Sequence, residues 1–215
     1  MKLFSLDERL SKCASLVPDG ARLVDVGTDH AYLPVWLLKN GAISYAVASD
    51  INEKPLKSGM ETAEKYGAEN IDFRLGSGLE TISEDDGITC AVIAGMGGEI
   101  IAGIIDNSEI AKKIRLVLQP MTRSEELIAY LCENGFEITR QVCAFSRGKY
   151  YTILAARYSG QAEAFDESFF YLGKLDLADE ASRVFLQNQI KNLENKAKGD
   201  SSLLPLIEKL KDKMK

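Results

Sequence analysis

From Ala21 to Tyr158 the sequence alternates short β-rich runs with helix-forming runs, and this alternation limits the possible folds more than any other feature. The β-rich runs fall at Ala21 to Gly27, Tyr45 to Asp50, Ile71 to Leu75, Thr89 to Ala94 and Arg115 to Gln119. Helical spacing occupies Ala31 to Lys39, Pro55 to Tyr66 and Gly98 to Ile105, with Pro34 tolerable in a first turn. Thr122-Arg123-Ser124-Glu125 has the form of a capping box and predicts a further helix to about Glu133. Two longer β-rich runs, Phe136 to Phe145 and Tyr150 to Tyr158, flank Ser146-Arg147-Gly148-Lys149, a hairpin signal. This order predicts an α/β fold: a parallel sheet with helices on both faces and an antiparallel strand added by the closing hairpin.

The ends read differently. Ser5-Leu6-Asp7-Glu8 has the form of a capping box, and Leu6, Leu10, Cys13, Ala14 and Val17 recur at helical spacing, so a leading amphipathic helix is expected before Pro18-Asp19-Gly20. After about Gly160 the chain is helix-forming, with Leu172, Leu175, Leu186, Ile190, Leu193, Leu204, Ile207 and Leu210 at spacings of three, four or seven. The division expected is a sheet domain over 1–160 and a helical, coiled-coil-like hairpin domain over 161–215. A net charge of −6 excludes a uniformly basic nucleic-acid coat but not a local basic patch. No apolar run approaches the roughly 18 residues of a membrane span, and the N-terminus, Met1 to Arg9, turns polar too early for a signal peptide. Cys13, Cys90, Cys132 and Cys143 form no CxxC pair and sit in apolar stretches, as expected of buried thiols in a reducing, cytoplasmic setting. With His30 the one histidine, no zinc site or other metal is expected.

In open α/β sheets ligands sit at the carboxyl ends of the strands. The first such turn is Val24-Asp25-Val26-Gly27-Thr28-Asp29-His30. A dinucleotide site needs three glycines so that backbone can approach the diphosphate; this turn has one, Gly27, with Asp29 where a second would stand. A carboxylate there repels a diphosphate and suits a cationic ligand, such as the ammonium and sulfonium of S-adenosylmethionine, near Asp25 and Asp29. The plain alternatives are that Asp25 orients the turn and Asp29 caps the following helix. Asp50, at the end of the second strand, is placed to take the hydroxyls of a ribose, with Ile51 beside it, or is a solvated loop acid. Gly76-Ser77-Gly78 leaves room for an adenine ring or forms an ordinary turn. Ala94-Gly95-Met96-Gly97-Gly98 offers backbone and space rather than side chains, which suits a nucleophile that needs no deprotonation.

Together the DHAYL block from Asp29 to Leu33, Asp50, Gly76-Ser77-Gly78-Leu79, the AGMGG block from Ala94 to Gly98 and Leu118-Gln119-Pro120-Met121 resemble the bacterial tRNA (adenine-22-N1)-methyltransferase family, called TrmK, over essentially the whole chain. The resemblance implies a Rossmann-like class I methyltransferase sheet, S-adenosyl-L-methionine as cofactor, tRNA as partner, and methylation of N1 of adenosine 22. The candidate cofactor contacts are Asp25, Gly27, Asp29, Asp50, Ile51, Gly76, Ser77, Gly78, Gly95 and Met96; the candidates for catalysis are Asp29, to stabilise the charge developing on the methylated base or to hold its amino group, and His30, to stack on or hydrogen-bond the base, unless it only packs at the helix start. Ser77 stands where the family commonly has an acid, and Thr28 where relatives often show Ser. For tRNA, Arg147, Lys149 and Tyr150 of the hairpin and Arg123 beyond the fifth strand combine charge with an aromatic ring. Residues 181–215 carry a net +4 against −10 for the remainder, which fits a phosphate-touching tail or the solvated face of a helical hairpin. A nicotinamide oxidoreductase is disfavoured by the single glycine; a small-molecule methyltransferase and a non-catalytic RNA-binding module stay open, as does the oligomeric state.

Overall fold

The structure, a computed structural model, describes residues 3–162 and 164–215; of the N-terminal stretch Met1 to Arg9, Met1 and Lys2 lie outside them. Seven strands form one sheet: β1 (Ala21–Val26), β2 (Ile43–Asp50), β3 (Ile71–Leu75), β4 (Cys90–Gly97), β5 (Arg115–Thr122), β6 (Phe136–Ser146) and β7 (Lys149–Tyr158). Their order is β3-β2-β1-β4-β5-β7-β6. The first five pair in parallel. β7 runs antiparallel between β5 and β6, so β6 points the same way as the first five. The helices on the sheet are α1 (Glu8–Leu16), α2 (Tyr32–Lys39), α3 (Glu53–Tyr66), α4 (Gly98–Asp106) and α5 (Ser124–Glu133). The Rossmann-like sheet with a helical extension is the architecture expected from the sequence.

The central strands are apolar on both faces because both are covered. Val24, Ala91, Ile93, Leu116 and Leu118 point into a core closed by Ile101 and Ile105 of α4 and Leu127, Ile128 and Leu131 of α5. Leu23, Cys90, Val92 and Val117 alternate to the other face, under Cys13, Ala14 and Leu16 of α1 and Leu33 and Leu37 of α2. This period of two fixes the register, since a slip of one residue would exchange the two cores.

Two caps differ from the expected ones. Asp7, not Ser5, caps α1: its side chain accepts from the Leu10 N–H at 2.8 Å. Thr122 cannot cap α5 because it still belongs to β5, paired with Gly97; the cap is Arg123 in the left-handed region, with no side-chain bond. The Arg147-Gly148 turn has positive φ at both residues, as a two-residue hairpin requires.

The C-terminal helices are three, α6 (Glu167–Leu172), α7 (Glu180–Ala197) and α8 (Leu204–Lys213), rather than a hairpin alone. Leu186, Ile190 and Leu193 of α7 meet Leu206, Ile207 and Leu210 of α8 in a small core of their own. α7 also lies on β6 and β7. Buried Gln141 of β6 ties the unit to the sheet: its Nε2 donates to Thr152 Oγ1 at 3.0 Å and its Oε1 accepts from the Lys174 N–H at 2.7 Å. Gly173, at φ 56 and ψ −132, brings the chain onto that amide, and a Cβ there would stand 2.1 Å from Gln141 Oε1. Among the described residues no helix is long and apolar enough to cross a membrane. Gly173→Ala is expected to cost roughly 2–4 kcal/mol by urea denaturation, from backbone strain and loss of the Gln141 bonds; an unchanged midpoint would remove Gln141 from the docking.

Candidate active site

The strand order reverses between β1 and β4, and the loops leaving these two strands part in opposite directions. A cleft of about 810 Å³ opens there. Its floor is Asp25 of β1, Gly27 and Thr28 just after it, and Ala94 and Gly95 of β4; α1 walls it with Arg9 and Leu10, and Arg147 reaches it from the hairpin. Asp29, His30 and Tyr32 line its mouth.

Asp25 is buried, and burial pushes its carboxyl up to about 6 against the opposing pull of the Thr28 hydroxyl and the Arg9 guanidinium. Asp50, from the end of β2, adds a smaller push in the same direction. Ser49, paired with Val26 across β1 and β2, is fully buried, and its Oγ has no hydrogen-bond partner among the described residues. Gly27 has φ 73, and a Cβ on it would stand 2.1 Å from the Met96 methyl, so β4 presses on this turn.

Asp29 does not cap α2. The cap position is Ala31, left-handed at φ 51, with no side-chain bond. The Asp29 side chain is 84% exposed and stands 3.7 Å from His30 Nε2, too far for a hydrogen bond. His30 is half-exposed and lies over the Tyr32 ring, centroids 5.2 Å apart and planes within 22°. The strained turn therefore turns an acid and two stacked rings toward the cleft.

The expected site residues divide. Asp25, Gly27, Asp29, His30, Gly95 and Arg147 share the cleft. Asp50, Ile51, Gly76, Ser77 and Gly78 lie beyond its wall, on the neighbouring ends of β2 and β3. Asp50 Oδ1 accepts from the Asn52 backbone at 2.8 Å, its carbonyl accepts from the Gly76 N–H at 2.9 Å, and Ile51 is exposed beside it. Gly78, at φ 52, packs on Ile104, and Ser77 is exposed. Met96 stands behind Gly27. Gly98 is not open space: a Cβ there would meet the Arg123 carbonyl at 2.1 Å, so this glycine serves the packing of α4 on the end of β5. Arg123 and Tyr150 line a second groove of about 460 Å³, between the end of β5 and α7, that adjoins the cleft at Met121. Arg123 is ion-paired to Glu99 at 2.9 Å and to Glu126 at 3.5 Å. Tyr150 packs on Phe145, and Lys149 is exposed at the foot of the same hairpin.

Two residues outside the candidate set bear on the charge of the cleft: Arg9, which lines it, and Gln119, which holds Arg9 from behind. Gln119 of β5 is fully buried, and its Oε1 accepts from Arg9 Nη1 at 2.6 Å and from the Gly95 N–H at 3.2 Å. An amide inside an otherwise apolar strand was the available signal for Gln119; Arg9, one charge on an amphipathic helix, had none. Burial pushes the Cys13, Cys90 and Cys143 thiols up to about 12, so none of them is a thiolate nucleophile at neutral pH.

An acid whose folded-state value is raised stabilises the protein below its unfolded value near 3.9 and loses that contribution as pH rises through about 6. Asp25→Asn is therefore expected to unfold at higher denaturant than the parent at pH 7.5, by roughly 1–3 kcal/mol, with the gap closing below about pH 4. A gap that does not change with pH would contradict the burial of a charge at this site.

A family model described as a methyltransferase domain matches residues 6–154. The tRNA (adenine(22)-N(1))-methyltransferase of Bacillus subtilis is 34% identical over 203 residues, covering 91% of this chain and 84% of that one. Among solved structures, a putative tRNA methyltransferase of Streptococcus pneumoniae in complex with S-adenosyl-L-methionine superposes with a TM-score of 0.89 at 32% identity, covering 98% of this chain and 100% of that one. The Bacillus subtilis tRNA methyltransferase TrmK gives a TM-score of 0.81 at 29% identity, covering 99% and 97%. With these relatives matching along nearly the whole chain, sheet and helical extension alike, this protein belongs to the tRNA (adenine(22)-N(1))-methyltransferase family, TrmK.

Proposed function

We infer that this chain transfers a methyl group from S-adenosyl-L-methionine to N1 of adenosine 22 of tRNA, and that the transfer takes place in the cleft beside Asp25. The reaction and cofactor rest on the family; the placement rests on one observation, the cleft at the β1/β4 switch point floored by a buried carboxylate. The donor set fits this cofactor: Asp25 and Asp29 face a cationic methionine end, while Asp50 and the small residues of Gly76-Ser77-Gly78 stand together at the ends of β2 and β3, where the nucleoside would extend. When bound, S-adenosylmethionine supplies an electrophilic methyl group on a sulfonium.

Adenine N1 has an in-plane lone pair and no proton at neutral pH, so no general base is needed and the work is positioning and exclusion of water. This accords with a cleft in which no cysteine is activated and the β4 loop presents Ala94 and Gly95. The methylated ring becomes cationic, and Asp29 at the mouth is placed to stabilise that charge as it develops. His30 on Tyr32 offers an aromatic surface against which the adenine can stack. N1 lies on the pairing edge, so the target base must leave its helix to reach the cleft. Arg147 at the cleft, with Lys149, Tyr150 and Arg123 toward the second groove, supplies the phosphate and base contacts on that side.

The test is nucleoside mass analysis of a tRNA transcript incubated with protein and cofactor. N1-methyladenosine is expected with adenosine at position 22 and not with guanosine there, and Asp29→Ala is expected to weaken cofactor binding and, at saturating cofactor, to lower turnover about 10- to 1,000-fold. Methylation that ignores position 22 would overturn the substrate assignment; unchanged turnover in Asp29→Ala would remove Asp29 from the chemistry.

A further inference from the structure

The cleft and the second groove share one residue, Met121, which stands on the ridge between them. Met121 is 40% exposed and, among the described residues, belongs to neither core of the sheet. The sheet is irregular at this point. Pairing of β4 with β5 runs Ala94 to Gln119, Met96 to Pro120 and Gly97 to Thr122, so it skips Gly95 on one strand and Met121 on the other. Bulges of this kind re-aim side chains and are concentrated beside active sites. Gln119 secures the irregularity. Its Oε1 takes the Gly95 N–H at 3.2 Å, and its Nε2 donates to the Pro120 carbonyl at 2.8 Å and to the Met121 Sδ at 3.6 Å. The buried amide is itself fixed by Arg9 Nη1 at 2.6 Å. A flexible thioether is therefore held from behind by a rigid support and left open to solvent between two cavities.

Both cavities have the chemistry of a nucleotide site. On the cleft side, His30 over Tyr32 is the aromatic surface for the target adenine. On the groove side stand the Tyr150 and Tyr171 rings, Asn188 and Asn192 one helical turn apart on α7, and the cations Arg123 and Lys196. Rings to stack on a base, amides to meet its edge and cations for its phosphate are the set that takes an unstacked nucleotide. Neighbouring bases of a strand stack on each other, and a base that leaves its helix must break that stack. Proteins that part stacked bases insert an apolar side chain, methionine among those used. The polarisable sulfur of methionine also gains from contact with aromatic rings.

We propose that Met121 is the wedge that parts adenosine 22 from a neighbouring nucleotide of its strand, the adenine entering the cleft and the neighbour the second groove, with Gln119 as the positioning residue that holds the wedge. The proposal rests on the reading of the cleft as the site of tRNA methylation. It gives the second groove an occupant, one nucleotide of the same strand, and it gives the bulge at the end of β5 a function. Because phosphate contacts carry most of the affinity for tRNA, the wedge acts on turnover rather than on binding.

The experiment compares the full-length parent, Met121→Ala and Met121→Leu, each first checked by thermal melting. One measurement is the fluorescence of a tRNA carrying 2-aminopurine at position 22, which brightens on unstacking, with saturating protein and with S-adenosylhomocysteine present so that no transfer occurs. The other is kcat and KM on a transcript with adenosine at position 22. The parent is expected to brighten the probe several-fold. Met121→Ala is expected to lose most of that rise and to lower kcat about 10- to 100-fold, with KM for tRNA within about 3-fold of the parent. Met121→Leu, apolar and of similar volume, is expected to keep both within about 3-fold. The parent's kcat or the parent's brightening in Met121→Ala would overturn the proposal, as would a Met121→Leu protein as impaired as Met121→Ala, or a parent that methylates without brightening the probe. If Met121→Ala does not fold, Met121→Thr, suited to a strand, is read in the same way. A parent that does not methylate the adenosine-22 transcript at all would defeat the functional reading itself, a result distinct from the loss of the wedge.

Discussion

The cleft depends on one constraint, that β1 and β4 are neighbours in the sheet while the connections that follow them run to opposite sides. Two parallel strands buried on both faces have no freedom to shift, because each alternate side chain is committed to one of two cores. Their carboxyl ends are therefore fixed relative to each other, and the chain can diverge only beyond them. Of the four non-glycine residues of positive φ among the described residues, three, Ala31, Arg123 and Arg147, follow β1, β5 and β6 and lie on this edge of the sheet; the fourth, Asn70, precedes β3. Backbone strain is concentrated where side chains must be aimed rather than packed.

Charge in this space is kept out of balance. Asp25 has its carboxyl raised by burial despite the Arg9 guanidinium, and Arg9 rests on an amide instead of an acid. A protein selected for stability alone would pair them directly or replace both with apolar groups. Holding them apart across a water-accessible cleft leaves each ready for a ligand group of opposite sign, and the cost falls on the folded state. On the proposed placement of the methyl donor, a diphosphate would meet Asp25 and Asp29, whereas a cationic methionine end would find acids of opposite sign there.

Much of this was legible from the residues. The alternation of strand and helix periods gave the sheet; the single glycine and two acids of the first turn indicated a cationic ligand; and Ser146 to Lys149 marked the hairpin whose Arg147 reaches the cleft. What stayed hidden was long-range. Local pattern does not say that β7 inserts between β5 and β6, since pairing order is decided by which edge of the sheet is apolar and uncovered. Capping boxes at Ser5 and Thr122 failed because β5 runs on to Thr122 and Asp7 is better placed at the helix start. Gly98 looked like space in the site and proved to be a packing contact with the Arg123 carbonyl. Arg9 and Gln119, 110 residues apart in sequence, meet only after both faces of the sheet are covered.

The central claim is that the acid-bearing turn after β1 takes a positively charged methyl donor and rejects a diphosphate. Calorimetric titration of the protein with S-adenosylmethionine and, separately, with NAD tests it most directly. The account predicts saturable binding of the sulfonium compound that NAD does not displace; tight binding of NAD at the same site, with the methyl donor excluded, would contradict it.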